Sequence, residues 1–128
     1  MPSIGGAIRQ VIVNGNITGI TTKVYRDIAP PDVALPYITF ADELSNVPAL
    51  TGDKSVKAKR RMVQVDLWQT RADESFSRID TLVGLLDSAS LSADTHVFNT
   101  RVNDVQRLVE FQDDIVHHAV TVYVYQVA

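Results

Sequence analysis

The sequence contains no cysteine among its 128 residues. This absence excludes disulfide bonds, zinc sites built on thiolates, iron–sulfur clusters and cysteine nucleophiles. The phosphate-binding motifs GxGxxG and GxxxxGK[ST] are also missing, as is the GxSxG motif of serine hydrolases. We therefore expect a protein that is not an enzyme and that needs no cofactor or metal.

Long hydrophobic runs are missing as well. Apolar stretches such as residues 120–127 are far shorter than the roughly 20 residues of a membrane-spanning helix. The first ten residues, MPSIGGAIRQ, lack a basic segment followed by an apolar one. We expect no membrane partner and a protein that stays where it is made.

Basic residues are few, and their distribution is uneven. The chain has 12 basic and 15 acidic residues, a formal net charge of −3, which argues against an evenly basic nucleic-acid binder. Five of the 12 lie within residues 54–61, and the rest of the chain, with 7 basic and 15 acidic residues, is at −8. This basic segment is a solvated loop, a phosphate-contacting loop or a contact for an anionic protein surface. Its members are Lys54, Lys57, Lys59, Arg60 and Arg61.

The composition, 45% hydrophobic and 21% charged, is that of a globular domain. Helical spacing of apolar residues predicts helices over residues 3–13 and 74–87, with Asp73 as the cap of the second. Strands are predicted over 23–27, 37–44, 61–69 and 115–127, and residues 96–102 and 105–111 are predicted to form two strands or one interrupted strand. We expect one small α/β (α+β) domain over residues 1–128, in the order αββ–loop–βαβββ. Its mostly antiparallel sheet would have about four to five strands and two flanking helices, and residues 45–60 would form a mobile loop.

The alternation also assigns faces. Ile38 and Phe40 should face the core, as should the valines of the last strand. Tyr123 and Tyr125 should lie on the opposite face, where they would be a subunit interface unless the N-terminal helix covers them.

Three groups of titratable residues are candidates for a catalytic or metal-binding role. His117 and His118 are adjacent, so on a strand they face opposite sides and cannot share one metal. A metal site with Asp113 and Asp114, or a role for His96, is less plausible than ordinary solvation. Asp66, beside Trp68, is either a base with a raised pKa or, as we expect, the partner of a neighbouring Arg101 or Arg107.

Three segments, taken in order, resemble the tail completion or tail terminator proteins of long-tailed bacteriophages. They are VYRDIAPPDVALPYITF at residues 24–40, MVQVDLWQ at 62–69 followed by a helix, and the valine-rich closing strand. The resemblance spans roughly residues 3–127 and depends on the order and spacing of these segments, since each alone is unspecific.

The resemblance implies a structural virion protein that forms a ring, usually a hexamer, at the head-proximal end of the tail tube. Such a ring ends tube polymerisation and forms the head–tail joining surface. Its partners would be copies of itself, the tail tube protein, the head–tail connector protein and the DNA that passes through its lumen without sequence-specific binding. It would be assembled in the host cytoplasm, and the family carries no catalytic residues. The alternatives are a head–tail connector or neck subunit and, less favoured, a small cytoplasmic enzyme or ligand-binding domain that uses Asp66, Trp68 and a histidine.

Overall fold

The computed structural model describes residues 4–50, 56–93, 96–110 and 114–127. Within these ranges, two helices and six strands form one mixed α+β domain. Their bounds are α1 Ile4–Asn14, β1 Val24–Arg26, β2 Tyr37–Leu50, β3 Val56–Thr70, α2 Phe76–Leu86, β4 Ser90–Ala93, β5 His96–Glu110 and β6 Ile115–Val127.

All six described strands belong to one sheet in the order β1-β2-β3-β6-β5-β4. β1 runs parallel to β2, and every other neighbouring pair is antiparallel. The expected mostly antiparallel sheet with two helices is confirmed. The expected number of strands, about four to five, was too low.

The two helices lie close to their predicted positions. α1 begins at Ile4, one residue later than expected, and α2 is two residues shorter at its start. The predicted cap was wrong, because the hydroxyl of Ser75, and not Asp73, accepts a hydrogen bond from the amide of Arg78 at 3.4 Å. Both helices pack on the same face of the sheet, since α1 and α2 share one core cluster with β2, β3 and β6.

The core lies between the helices and this face. Ile38 and Phe40 are buried, as predicted, and so are alternate residues of the two central strands. Burial of these apolar side chains is the main favourable term in folding. The central core residues are Ile8, Ile12, Val63, Val65, Leu67, Leu82, Leu86, Val120, Val122 and Val124.

Two segments outside the predicted strands form strands in the structure. β2 continues to Leu50 and β3 begins at Val56, so residues 45–50 and 56–60 of the predicted loop belong to strands, and residues 51–55 lie outside the described residues. The predicted mobility of this segment stays a prediction. Apolar and polar residues do not alternate along this hairpin, so its sequence predicts a loop and not a pair of strands. Residues 90–93, which lie between the predicted helix over 74–87 and the strand predicted from residue 96, form the short strand β4 on the edge of β5.

β5 was expected to be interrupted, and it is continuous with one irregularity. Val102 pairs with Val122 and Asp104 pairs with Thr121, so Asn103 has no partner on β6. Such a β-bulge shifts the alternation of a strand by one residue. Phe98 and Thr100 face the helices before the bulge, and Val105 and Arg107 take that face after it.

Candidate functional site

The face of the sheet opposite the helices carries several of the residues that the sequence singled out, namely Asp66, Trp68, His117, Tyr123 and Tyr125. We call it the open face, because no helix among the described residues covers it. Tyr123 and Tyr125 lie on it as predicted, half-buried, with ring centroids 6.3 Å apart in an edge-on arrangement. The N-terminal helix packs on the other face, so it does not cover these tyrosines.

Aromatic rings also form a row across one end of the open face. The ring centroids of Tyr25 and Tyr37 are 6.4 Å apart, as are those of Tyr37 and Trp68. Trp68 stacks on His117 with centroids 4.1 Å apart. The indole Nε1 of Trp68 donates a hydrogen bond of 2.9 Å to the hydroxyl of Thr39, which fixes the ring. The row thus presents flat, half-buried rings from four neighbouring strands.

Asp66 lies on the open face one step from this row. Both of its carboxylate oxygens accept hydrogen bonds from the side-chain amide of Gln64, at 3.1 and 3.2 Å. Burial raises the pKa of Asp66, while the bond from Gln64 and the nearby His117 oppose the rise. The expected ion pair with Arg101 or Arg107 was wrong for Arg107, since that arginine points to the helix-covered face and pairs with Glu74.

A second polar cluster, under the start of α2, was missed by sequence reasoning. The guanidinium of Arg107 donates two hydrogen bonds to the carboxylate of Glu74, at 2.7 and 2.8 Å. The Nε2 atom of His118 lies 3.3 Å from the same carboxylate, and the imidazole is 3% exposed. Glu74 lies two residues before α2, Arg107 lies on β5 and His118 lies on β6. Their contacts therefore hold the start of the helix against the sheet.

The charges of Glu74, Arg107 and His118 indicate a structural role for this cluster, which we call the clip. The hydrogen bonds from Arg107 hold the pKa of Glu74 below its usual value. Burial lowers the pKa of His118, although the nearby Glu74 acts in the opposite direction. A carboxylate with a lowered pKa is a poor base, and its hydrogen-bonding capacity is already used by Arg107. Nothing in this geometry favours acid–base catalysis.

The histidines lie as the sequence predicted. His117 faces the open side and stacks on Trp68, and His118 faces the helices. The described part of the chain holds no group of three potential metal ligands. Asp114 lies 3.7 Å from the guanidinium of Arg71, Asp113 lies outside the described residues, and only the backbone of His96 is described.

The basic segment is part of a hairpin arm. Lys54 lies outside the described residues, and the backbones of Lys57, Lys59, Arg60 and Arg61 belong to β3. β3 pairs with β6 only from Arg60 onward, and its earlier residues pair with β2 alone. The guanidinium of Arg61 lies over the ring of Phe98, 5.6 Å from its centroid. The segment therefore begins on the arm and ends on the core sheet.

Comparisons with known proteins show the fold. No family model matches the sequence, and no curated protein matches it. Among solved structures, the chain is similar to one from the virion of a native gene transfer agent (GTA) particle, with a TM-score of 0.71 and 12% sequence identity. That match covers 97% of this chain and 94% of the other. A second solved structure matches with a TM-score of 0.55 and 15% identity, covering 95% of this chain and 91% of its own.

No helix among the described residues is long and apolar enough to cross a bilayer.

Proposed function

We propose that this chain is a structural subunit of a virion of the kind that long-tailed bacteriophages build. The observation that carries the proposal is the match to a chain of a gene transfer agent virion, with a TM-score of 0.71 over 97% of this chain. The match covers nearly all of both chains, so it relates two whole domains rather than a shared motif. The absence of a catalytic arrangement at the polar clusters described above supports the same conclusion.

Within the virion, we infer a tail terminator. The support is the sequence resemblance over residues 24–40 and 62–69, which contain β1, the first four residues of β2 and most of the part of the central strand β3 that pairs with β6. In this role the subunits form a ring, with a hexamer as the expected form, at the head-proximal end of the tail tube. The ring ends tube polymerisation and offers the joining surface for the head connector.

The open face and the hairpin arm suit such a role for different reasons. The open face presents Tyr123, Tyr125 and the aromatic row, which are the kind of residues that subunit interfaces bury. The arm carries the densest positive charge on a chain that is otherwise acidic. In a ring, this arm would contact the DNA backbone in the lumen or an acidic surface of a neighbour.

A head–tail connector or neck subunit is the alternative within the virion, and the fold match supports it equally. A ligand-binding domain is the alternative from another class. Its specific support is the Trp68–His117 stack next to Asp66, whose raised pKa is typical of functional carboxylates. Asp66, Trp68 and His117 lie on the open face, where a small ligand could reach them.

The deciding experiment is electron microscopy of particles produced without this protein. A terminator predicts overlong tails that are not joined to heads, because nothing stops tube growth. Tails of normal length that fail to join heads would indicate a connector or neck subunit. Intact, infectious particles would overturn a virion role altogether.

A further inference from the structure

A groove opens between α2 and β5 on the helix-covered side of the sheet. It has a volume of about 440 Å³ and is lined mainly by apolar side chains. Phe76, 61% exposed, and Val105 form its rim, and the buried imidazole of His118 lies in contact with Phe76 at 5.9 Å between ring centroids. The other lining residues are Ile79, Asp80, Val83 and Arg107.

The groove lies at one edge of the sheet. β4 pairs only with residues 96–99 of β5, so within the described residues β5 is the edge strand at Val105 and Arg107. A partner can therefore approach the groove from the side without meeting another strand. Edge strands with exposed apolar residues are sites where another chain adds on.

Ile28 lies at the opposite edge and is the most exposed large apolar residue among those described, at 81%. It lies two residues after the end of the edge strand β1. Two backbone hydrogen bonds fix its position: the amide of Asp27 donates to the carbonyl of Phe40 at 2.8 Å, and the amide of Ile28 donates to that of Arg26 at 2.7 Å. The ordered backbone thus holds this apolar side chain in water, where its exposure costs free energy.

The register of the sheet places Ile28 and the groove at nearly the same height. One row of paired residues runs across the sheet from β1 to β5, and it joins Arg26, Phe40, Val65, Val120 and Val105. Ile28 follows Arg26 by two residues, and Val105 is on the groove's rim. The two edges are about 20 Å apart, given four strand spacings of roughly 4.8 Å. A neighbouring copy shifted sideways along this row brings one feature to the other.

Charge sets the orientation of this contact more than its strength, because the guanidinium of Arg107 is already paired with Glu74. Residues 27–36 carry two carboxylates, Asp27 and Asp32, and no basic residue. The β5 side of the groove carries Arg107, whose side chain is 44% exposed, while Asp80 lies on the α2 side. The loop is therefore best placed with its carboxylates toward β5 and away from α2.

Backbone pairing between the two edges is disfavoured, because the carbonyls of Val24 and Arg26 on the β1 edge already accept hydrogen bonds. Arg9 Nε donates to the carbonyl of Val24 at 3.0 Å, and the carbonyl of Arg26 accepts from Ile28. The contact must then be made by side chains. A contact between two different surfaces of identical subunits is heterologous, and repeated rotation closes it into a ring.

We propose that Ile28 of one copy inserts into the groove between Phe76 and Val105 of the next copy, and that this contact links the subunits of the ring. The proposal rests on the proposed function, since it names the surface through which the ring subunits associate. It assigns the groove to a second copy of this chain, and the open face and the hairpin arm remain available for a further contact between subunits or for other virion partners.

The absence of native cysteine makes cross-linking a direct test. Ile28→Cys and Val105→Cys are prepared as single variants of the full chain and mixed under mild oxidation at a concentration where light scattering detects oligomers. We expect a covalent dimer in the mixture and little in either variant alone. The double variant should give a ladder that ends at the ring. The matched control replaces Val105→Cys with Thr121→Cys on the open face and should give no dimer.

Each other outcome is informative. Oligomers without the Ile28–Val105 link, or an Ile28→Cys dimer formed alone, overturn this contact and leave the ring standing. A chain that is monomeric at every concentration overturns both the contact and a preformed ring. A specific link in a protein whose loss leaves tails normal would retain the contact and overturn the terminator role.

A second measurement separates assembly from folding. Ile28→Ser should lower the self-association constant at least tenfold and leave the urea midpoint of unfolding unchanged, because the side chain has few contacts within the subunit. Val97→Ser is the matched control, since Val97 is another exposed apolar residue away from the groove. An equal effect of the two substitutions contradicts the proposal.

Discussion

The helix-covered face and the open face of the sheet are made by alternate residues of the same strands, yet they differ in kind. On β3, Val63, Val65 and Leu67 are fully buried under the helices. Met62, Gln64, Asp66 and Trp68 alternate with them and are only half-buried. The covered face is almost entirely aliphatic along its centre, whereas the open face mixes aromatic, amide and carboxylate groups.

The difference indicates a division of labour. Aliphatic residues under two helices supply the stability of the isolated subunit. Half-buried rings and polar groups contribute less to folding, and they are free to be buried by another protein. Substitutions on the two faces should therefore separate stability from assembly, and the predictions below run from the largest expected change in stability to the smallest.

Truncation of a core residue should give the largest effect. Leu82→Ala removes a fully buried side chain of α2, and we expect a loss of about 2–5 kcal/mol in the free energy of unfolding. The matched control Met62→Ala truncates a half-buried residue of the open face and should cost less than half as much. Urea denaturation followed by circular dichroism measures both, and equal losses would remove the distinction between the faces.

Acid should act on the covered face through His118. Its pKa is lowered by burial, so the unfolded chain takes up a proton below about pH 6.5 while the folded chain resists it. The free energy of unfolding should therefore fall as the pH drops below 6.5, by at most about 1.4 kcal/mol per pH unit from this group. Glu74, whose pKa is lowered by Arg107, adds a further loss at a pH below its usual value of 4.5.

Urea midpoints between pH 5 and pH 7 test this slope. His118→Asn should flatten it, because the variant has no group to protonate there. His117→Asn is the matched control on the open face. If the pH dependence persists in His118→Asn and disappears in His117→Asn, the effect comes from the open face and this explanation is wrong.

Asp66 should show the reverse dependence on the open face. Burial raises its pKa, so the folded chain favours the protonated form and this group costs stability as the pH rises above its usual value of 3.8. Asp66→Asn keeps an oxygen acceptor for Gln64 and should raise the free energy of unfolding at pH 7 by about 0.5 kcal/mol. The gain should vanish in acid, and a loss at pH 7 would refute this account of Asp66.

The hairpin arm should matter least for stability. Replacement of Lys57, Lys59 and Arg60 with Ala should leave the urea midpoint unchanged and impair particle assembly or DNA passage, measured as infectious titre. Arg61 is kept in this variant because its guanidinium packs over Phe98. Full infectivity of the triple variant would show that the charge of the arm has no function.

The sequence was most informative where one face of an element is buried. α1, α2, β3 and β6 have strong apolar periodicity, and all were predicted within a few residues except for the start of β3. The outer half of the β2–β3 hairpin was missed because residues such as Ser45, Asn46, Lys57 and Lys59 give no apolar alternation. β4 was missed because a four-residue edge strand carries little signal.

The polar clusters depend on register, which a single sequence does not specify. Arg107 was considered as a partner of Asp66, but the bulge turns it to the other face, where it meets Glu74. Glu74 precedes Arg107 by 33 residues, and no local pattern links them. By contrast, the faces of Tyr123, Tyr125 and the two adjacent histidines follow from alternation alone and were predicted correctly.

The unpaired Asn103 acts on β5 as a single-letter insertion acts on a reading frame. The even-numbered residues of β5 face the helices before Asn103, and the odd-numbered residues face them after it. If Asn103 paired with Thr121 instead, the residues after it would shift by one, so that Arg107 would face the open side and Leu108 would lie under α2. The clip to Glu74 and the rim of the groove at Val105 therefore both depend on a residue that makes no pair of its own.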